Sequence, residues 1–438
     1  MVIFITLVAI IVVAFFVLSR KEKSPKSQNN GLNTSIIDDK NIKIVHVTDI
    51  HYLSPSLTDY GKSFVDTIEK SDGKMMRYID QIMDAFVLEM IRTKPDLVIV
   101  SGDMTYNGEK ESHIGLANKF KILKDKGIKV LVLPGNHDLE NEMALAFEGD
   151  ATRPVKTVTI EEFEEIYKDY GYGKDDPDVV SRDKKSLNYV YQLGNKCHLI
   201  MVETSTKGND QTISNSSYRW IEKWLRKAKD MNMRVIGVSH QNILAHNKLF
   251  IAGYKITNSS RLVDLYNKYN VRINLSGHMH IQHMAEHKRV HDIALACLGL
   301  YPNLYGVLDM DLRNNMTYHT ESLDVAYWMK KYKHQDSDLL DFENTSREYF
   351  VRCTRLQTEK QLAKLDLSKE DKEMMMDFMV DTNIHYFSGS LDKRPDLSPD
   401  YPAYKLWMDH CERTFTGSYL NSIYTDTIGD HNMLEIFQ

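Results

Sequence analysis

The sequence is poor in the residues that build disulfide scaffolds, collagen-like repeats and polyanion-binding surfaces. Its 438 residues include only 4 Cys, 10 Pro and 21 Gly. Scarce Gly and Pro exclude a collagenous or low-complexity protein, and widely spaced cysteines without a C-x-x-C pair exclude a thiolate zinc site. The 55 basic residues are outnumbered by 61 acidic ones. No overall positive field therefore favours a nucleic-acid polymer as partner. We predict no protein partner either.

The one long apolar run stands at the start of the chain. Residues 1–19 carry no charge, and a run of this length is about long enough for a helix to cross a bilayer. No lipobox cysteine or small-residue cleavage site precedes Arg20, so a retained anchor is favoured over a cleaved signal peptide. We expect a membrane-anchored protein whose folded part lies outside the cytoplasm. Four basic residues between Arg20 and Lys26 favour the cytoplasmic side instead, by the positive-inside rule.

Beyond this run, the composition divides the chain into three further parts. Residues 20–41 are polar and lack a periodic apolar face, which predicts a linker. Residues 42–320 alternate short β-branched runs with helical patterns, which is typical of an α/β domain. From residue 321 to 438 the strand pattern stops and a smaller helical domain is predicted, with helices near Arg347–Lys364, Lys369–Tyr386 and Pro402–Cys411.

Side chains of the metal-ligand type follow five of the predicted strands. D-x-H follows the first strand, G-D the second, G-N-H-D the third, and H and G-H-x-H follow two later strands. Each pattern alone occurs by chance, but five of them at successive strand ends do not. Since the carboxyl ends of strands in α/β sheets build sites at one edge, we expect these side chains to converge. They are Asp49, His51, Asp103, Asn136, His240, His278 and His280.

This set of carboxylates and imidazoles suits two metal ions that share one bridging carboxylate. Two such ions neutralise the oxygens of a phosphoester and lower the pKa of a bound water to about 7, so that a metal hydroxide can attack. Oxygen and imidazole ligands without a thiolate suit Mn, Fe or Zn as divalent or trivalent ions. The sequence does not choose among these metals.

The same stretches resemble the calcineurin-like metallophosphoesterase superfamily, and all its motif blocks occur here in order. The surroundings of the blocks, at Thr48–Tyr52, Gly102–Glu109 and Ser276–His283, are most similar to bacterial cyclic-nucleotide phosphodiesterases that carry a helical C-terminal domain. The resemblance implies a β-sandwich of two mixed sheets flanked by helices, formed by residues 42–320 as the catalytic domain. Residues 321–438 would then be the helical domain.

The resemblance also implies roles for individual residues. The first metal would be bound by Asp49, His51, Asp103 and His280, with Asp103 bridging to a second metal on Asn136, His240 and His278. His137 resembles the proton donor or substrate-binding histidine of the family, and Asp138 is expected to orient it. Three residues are candidates for substrate contact: Asn136, His246 in a loop after the fourth ligand strand, and Tyr52 as a platform for stacking.

These observations predict a dimetal phosphodiesterase that hydrolyses small phosphodiesters such as cyclic nucleotides. The motifs do not separate diesters from monoesters, so a phosphomonoesterase or a lipid-head-group pyrophosphatase remains an alternative. A non-catalytic surface receptor on the same scaffold is an alternative of another class. Complete ligand motifs favour an enzyme over the receptor.

Overall fold

The computed structural model describes residues 41–70, 73–206, 211–393, 401–426 and 429–437. The predicted anchor at residues 1–19, and the linker up to residue 40, lie outside the described residues. Within the described ranges, no helix combines the length and the apolar character needed to cross a bilayer. We therefore withdraw the expected membrane anchor, the membrane as a partner and the membrane-anchored location, because no described helix supports them.

The strands of the described chain form two large sheets and one small one. In chain order they are β1 (Ile42–Val47), β2 (Leu97–Ser101), β3 (Lys129–Leu133), β4 (Leu145–Glu148), β5 (Ala151–Pro154), β6 (Val179–Arg182), β7 (Tyr189–Leu193), β8 (Cys197–Val202), β9 (Arg234–Ser239), β10 (Ile273–Ser276), β11 (His283–His287), β12 (Val290–Ala294), β13 (Leu304–Met310), β14 (Met316–Ser322) and β15 (Met433–Ile436).

Both large sheets mix parallel and antiparallel pairs. The first has the order β15-β14-β13-β1-β2-β3, the second β11-β12-β10-β9-β8-β7-β6, and β4 pairs with β5. Central parallel strands such as β2 and β8 are buried along their whole length, which explains their continuous apolar sequences. One apolar core contains side chains from both sheets, among them Val98 and Leu199. The predicted α/β architecture of two mixed sheets with flanking helices is confirmed.

The longer helices begin and end where the sequence places capping residues. Thr159 and Glu162 form a capping box at the start of the third helix, and Lys94 closes the first helix in a left-handed conformation before Pro95. The helices of seven residues or more are α1 (Ile79–Thr93), α2 (Lys110–Asp125), α3 (Ile160–Ile166), α4 (Asn215–Asp230), α5 (Ser260–Lys268), α6 (Val325–Tyr332), α7 (Phe342–Leu362), α8 (Lys369–Phe387), α9 (Pro402–Cys411) and α10 (Phe415–Tyr424).

The C-terminal region is helical with one exception. Strand β15 pairs antiparallel with β14 and so returns the chain end to the first sheet. Trp328 of α6 and Phe342 of α7 belong to the core of the sandwich, whereas Met375 and Trp407 of α8 and α9 belong to a separate small core. All four cysteines lie within the described residues, and each is buried and outside any disulfide. The domain boundary near residue 320 stays a prediction.

Candidate metal centre and active site

The five strand ends that carry the ligand-type residues meet between the two sheets. Strands β1, β2 and β3 are parallel neighbours in the first sheet, and β9 and β10 are parallel neighbours in the second. The loops that follow these strands are tied together by backbone hydrogen bonds. Asp49 N donates to Gly102 O at 3.0 Å, His51 N to Asp103 O at 2.9 Å, and Gly277 N to His240 O at 3.0 Å.

The side chains after these strands form two overlapping groups that share Asp103. In each group the candidate ligand atoms lie within 4.8 Å of one another. Asn136 joins the second group, since its Oδ1 lies 3.1 Å from His240 Nε2. The structure thus brings all seven predicted ligands together. The two groups are Asp49, His51, Asp103 and His280, and Asp103, His240 and His278.

Two of the histidines are oriented by hydrogen bonds from the ring nitrogen that faces away from the cluster. His240 Nδ1 donates to Ser101 O at 3.0 Å, which leaves Nε2 facing Asp103 Oδ2 at 3.3 Å. His278 Nε2 donates to Gly253 O at 2.9 Å, which leaves its Nδ1 to act as the ligand atom. A carbonyl acceptor behind a histidine fixes its tautomer and its ring orientation, as is usual for metal ligands.

Two close approaches in the cluster fit a bound cation. Asp49 Oδ1 is buried and accepts no hydrogen bond within the described residues, although it lies 3.3 Å from His280 Nε2. His51 Nε2 and His280 Nε2 lie only 3.0 Å apart, and both rings also face Asp49. A buried carboxylate oxygen without a donor costs free energy unless a cation compensates it. The oxygen and imidazole set therefore fits the dinuclear centre that the sequence predicts.

The charges in the second group favour the metal-binding forms of Asp103 and His278 but not that of His240. Burial alone would raise the pKa of Asp103, but nearby His240 and His137 hold it well below its usual range. Burial disfavours the charged form of His240, yet Asp103 raises the pKa of His240 to about 9. Burial lowers the pKa of His278 to about 4. An ionised carboxylate and a neutral imidazole are the protonation states of metal ligands, whereas His240 must release a proton on binding.

The backbone at the cluster is held in conformations that side chains rarely adopt. Such left-handed conformations cost about 1–3 kcal/mol each and concentrate at functional sites. Close approach of the backbone also requires glycine: a Cβ on Gly135 would lie 2.2 Å from Asp103 Oδ1, and one on Gly277 2.4 Å from Asp49 Oδ2. The positive φ angles are 50° at Asp49, 49° at His51, 44° at Asp103, 69° at His278 and 58° at His280.

His137 lies at the edge of the cluster, with about a third of its side chain exposed. Its Nδ1 lies 2.8 Å from Tyr106 O and 2.9 Å from Asn107 Oδ1. Because a carbonyl oxygen can only accept, Nδ1 carries the hydrogen and Nε2 is left free for chemistry. Nε2 lies 3.9 Å from Asp103 Oδ2, beside the two metal-ligand groups.

Asp138 does not have the role expected of it. Its carboxylate makes no contact with His137 and instead accepts hydrogen bonds from Gly135 N, Met104 N, Thr105 N and Thr105 Oγ1, at 2.8 to 3.1 Å. Adjacent side chains in a turn point in different directions, and this one turns inward. Asp138 therefore joins the loops after β2 and β3, while Tyr106 and Asn107 orient His137.

Two predicted substrate contacts are buried away from the site. Tyr52 is 3% exposed and donates its hydroxyl hydrogen to Asp80 Oδ1 at 2.6 Å. His246 has no exposed side-chain surface, and its ring nitrogens lie 2.9 Å from His283 Nδ1 and 3.3 Å from Asp292 Oδ2. Neither residue lines the cavity at the metal ligands, so neither can contact substrate there. Asn136 does line it.

A buried carboxylate that sequence reasoning missed supports the second sheet behind the site. Asp292 of β12 accepts hydrogen bonds from Ile243 N at 2.6 Å and Leu244 N at 2.9 Å, just after His240. Its other oxygen accepts from Asn274 and from Ser276, two residues before His278. The available signal was an aspartate inside an apolar strand pattern, which predicts a buried hydrogen-bonded network.

The cluster opens into a cavity of about 630 Å³. We call the part of its lining formed by Asp103, Asn136, His137, His278 and His280 the metal wall. The part formed by residues of α7, α8 and α10 is called the helical wall. The C-terminal helices therefore line the same cavity as the candidate metal ligands.

Comparison with known proteins identifies the family of this fold and site. The family model described as calcineurin-like phosphoesterase matches residues 42–282, more than half of the chain. The chain belongs to the calcineurin-like phosphoesterase family. A second model, described as the C-terminal domain of cyclic nucleotide phosphodiesterase, matches residues 324–430. The protein is thus a metal-dependent phosphoester hydrolase whose fold implies a dinuclear metal centre.

Individual relatives are distant. A probable glycerophosphodiester phosphodiesterase of Arcobacter nitrofigilis is 24% identical over 300 residues, which cover 66% of this phosphoesterase and 89% of the relative. A probable cyclic nucleotide phosphodiesterase of Xenorhabdus bovienii is 23% identical over 255 residues, covering 57% and 83%. A solved dimetal phosphatase from Danio rerio is 12% identical with a TM-score of 0.46, and the match covers 64% and 96% of the two chains.

Proposed function

We propose that this enzyme is a dimetal phosphodiesterase that hydrolyses small phosphodiesters such as cyclic nucleotides. One observation carries the proposal: two groups of ligand-type side chains share Asp103 and open directly into a large cavity. The first metal would be bound by Asp49, His51, Asp103 and His280, and the second by Asp103, Asn136, His240 and His278. When bound, Mn, Fe or Zn ions would neutralise the phosphate oxygens and activate water for attack.

The chain's own contribution to bond cleavage comes from His137. Tyr106 O and Asn107 Oδ1 fix its Nδ1, so that Nε2 is the atom available for proton transfer. In its protonated form, His137 would give the Nε2 proton to the leaving oxygen, which would otherwise depart as an alkoxide. A histidine suits this role because its pKa in water lies close to neutral pH.

The charge of the cavity supports a diester rather than a monoester. A phosphodiester carries one negative charge, whereas a monoester carries nearly two at neutral pH. Among the described residues that line the cavity, none is Lys or Arg. The metals and a protonated His137 would then be the positive charges facing the phosphate, which suffices for a monoanion. The lipid-head-group alternative rested on the membrane anchor and is not proposed again.

The proposal is tested by hydrolysis of bis(4-nitrophenyl) phosphate, 4-nitrophenyl phosphate, and 2′,3′- and 3′,5′-cyclic nucleotides by the full-length protein with added Mn²⁺. We expect turnover of the diesters to exceed that of the monoester. An Asp103→Ala variant controls for contaminating activity. Hydrolysis of the monoester alone would contradict the proposal and indicate a phosphomonoesterase.

A further inference from the structure

The helical wall is built from residues that bind neither metal nor phosphate. It contains Phe350, Thr358 and Gln361 of α7, Asn383 of α8, and Tyr419 of α10. Because it lines the same cavity as the metal wall but carries none of the candidate metal ligands, it is placed to contact whatever the phosphate is attached to. The side chains of this wall therefore indicate what kind of group it binds.

Aromatic rings form an unbroken row along the cavity, starting at a metal ligand. Tyr254 lies beside His278, with 5.3 Å between ring centroids, and Phe250 lies 5.2 Å from Tyr254. Phe250 in turn lies 6.1 Å from Phe415 and 6.2 Å from Tyr419. The row thus crosses from the loop after β9 to helix α10. Aromatic faces of this kind offer stacking surfaces to a flat ring.

Phe415 is an unusual member of this row because it is exposed. It lines the cavity with 64% of its surface accessible to solvent, although it is the first residue of α10 and has no core role. Its exposed ring is free to offer a face to a ligand in the cavity, and exposed apolar surface at a groove is typical of ligand contact.

Neutral polar groups stand among the rings. Asn383 accepts a hydrogen bond from the Tyr419 hydroxyl at 2.8 Å, which leaves its amide NH₂ able to donate. Gln361 and Thr416 also line the cavity. Amides present a donor and an acceptor side by side, which matches the edges of heterocyclic bases. An alkyl chain could form no hydrogen bonds with these groups.

The described lining of the cavity contains no Lys or Arg, and Asp103 is its one carboxylate. A substrate with a further phosphate would find no basic side chain there apart from the histidines of the metal wall. This favours a remote group without a second negative charge. Aromatic faces alone can bind a quaternary ammonium group, but the amides among the rings favour a group with hydrogen-bonding edges.

We infer that the helical wall and the aromatic row form a subsite for an uncharged heteroaromatic ring, a nucleobase, on the substrate side opposite the scissile bond. The inference rests on the proposed phosphodiesterase function and names the substrate class of the same site. Phe250, Tyr254, Phe415 and Tyr419 supply the stacking surface, and Asn383 supplies a hydrogen bond to the edge of the base. Specificity for nucleotide diesters then comes from the C-terminal helices.

Four substrates with one leaving group separate this subsite from the chemistry at the metals. They are the 4-nitrophenyl phosphodiesters of methanol, hexanol, choline and the 5′-hydroxyl of thymidine. Each releases 4-nitrophenolate from a phosphodiester, so differences in kcat/KM arise from the second group alone. With the full-length protein and Mn²⁺, we expect the thymidine ester to exceed the methyl ester about tenfold, as for one stacked base.

Phe415→Ala should lower kcat/KM for the thymidine ester about threefold to fivefold relative to kcat/KM for the methyl ester. Phe437→Ala is the matched control, because Phe437 is 68% exposed and is not among the described residues that line the cavity. A thermal melt of each variant excludes loss of folding. Adenosine has no phosphate, so its binding can be measured with metal-free protein. We expect Phe415→Ala to weaken this binding by the same factor.

The outcomes are distinguishable. Equal rates for all four esters, or a best rate for the hexyl or choline ester, would overturn the base subsite while leaving the phosphodiesterase intact. A thymidine preference that Phe415→Ala does not change would also overturn it. No hydrolysis of any ester would instead refute the proposed function.

Discussion

The two walls of the cavity are built on different physical principles. The metal wall consists of a buried carboxylate, an amide and imidazoles on short loops, where backbone hydrogen bonds and left-handed φ angles at Asp103, His278 and His280 fix the backbone. The helical wall consists of aromatic, apolar and neutral polar side chains on three helices that share a small core of their own. The first wall is suited to one invariable chemistry, and the second to the choice of substrate. Substitutions in the two walls should accordingly have different signatures.

The largest effect is expected from Asp103→Ala. Both ligand groups contain this carboxylate, so its loss should lower kcat for every diester at least about 10³-fold and reduce the bound metal. Turnover and elemental analysis on the same preparation check this. Asp311→Ala, in the turn after β13 at the opposite end of the sheet, is the control. Activity within tenfold of the wild type would show that the metal wall does not supply the catalytic ligands as described.

The next largest effect concerns the rigidity of the metal wall. Asp292→Asn should lower the free energy of unfolding by about 3 kcal/mol, because buried donors around it lose their charged acceptor. Urea unfolding measures this. Burial raises the pKa of Asp292, but nearby His246 and the hydrogen bond from Leu244 outweigh it and hold that pKa below its usual range.

This lowered pKa fixes the pH dependence of the same variant. A carboxyl whose pKa is lower in the folded state stabilises the fold above its unfolded pKa of about 4, and that contribution is lost as the pH falls through the folded value. The difference between wild type and Asp292→Asn should therefore shrink in acid. A difference that grows in acid would contradict the assigned role.

A smaller and more selective effect is expected from His137→Gln. If Nε2 protonates the leaving oxygen, kcat should fall about 10²-fold for cyclic nucleotides, whose leaving group is a basic alkoxide. Hydrolysis of bis(4-nitrophenyl) phosphate should suffer much less, since 4-nitrophenolate departs without a proton. Metal content should be unchanged. Equal losses on both substrates would argue against proton donation, and Asn107→Ala should give a weaker form of the selective loss.

The smallest effect belongs to the helical wall. Asn383→Leu removes one hydrogen bond to the base and should raise KM for nucleotide diesters about threefold, with kcat and the methyl ester unaffected. Steady-state kinetics on the thymidine and methyl 4-nitrophenyl esters measure both. A fall in kcat for both esters would show that Asn383 affects bond cleavage, as the residues of the metal wall do, and would contradict the comparison of the two walls.

The ligand-type residues of the metal wall are recognisable in the sequence because they follow apolar strand runs in short, regular patterns. For the same reason, the runs at residues 42–47 and 234–238 predict β1 and β9 to within a residue. The sequence does not predict strands β4, β5, β6, β11 and β15, since they are short, or, like β5, fully exposed, and lack the apolar alternation on which prediction depends.

The rest of the site could not be predicted, for reasons of side-chain direction. Asp138 follows His137 in sequence but turns toward Gly135, and Tyr52 and His246 lie near ligands along the chain but point into the core. No local sequence pattern indicated that the helices of the helical wall line the cavity. The residues of this wall occupy one side of ordinary helices, and nothing local to Asn383 or Phe415 indicates a cavity shared with strands far away in sequence.

The central claim is that two metal sites sharing Asp103 act together on one phosphodiester. Metal-stripped full-length protein titrated with Mn²⁺ tests it most directly, with bound metal and bis(4-nitrophenyl) phosphate hydrolysis followed in parallel. We predict that two ions bind per chain and that hydrolysis begins only as the second equivalent is taken up. Full hydrolysis at one equivalent, or hydrolysis by the stripped protein, would contradict the account.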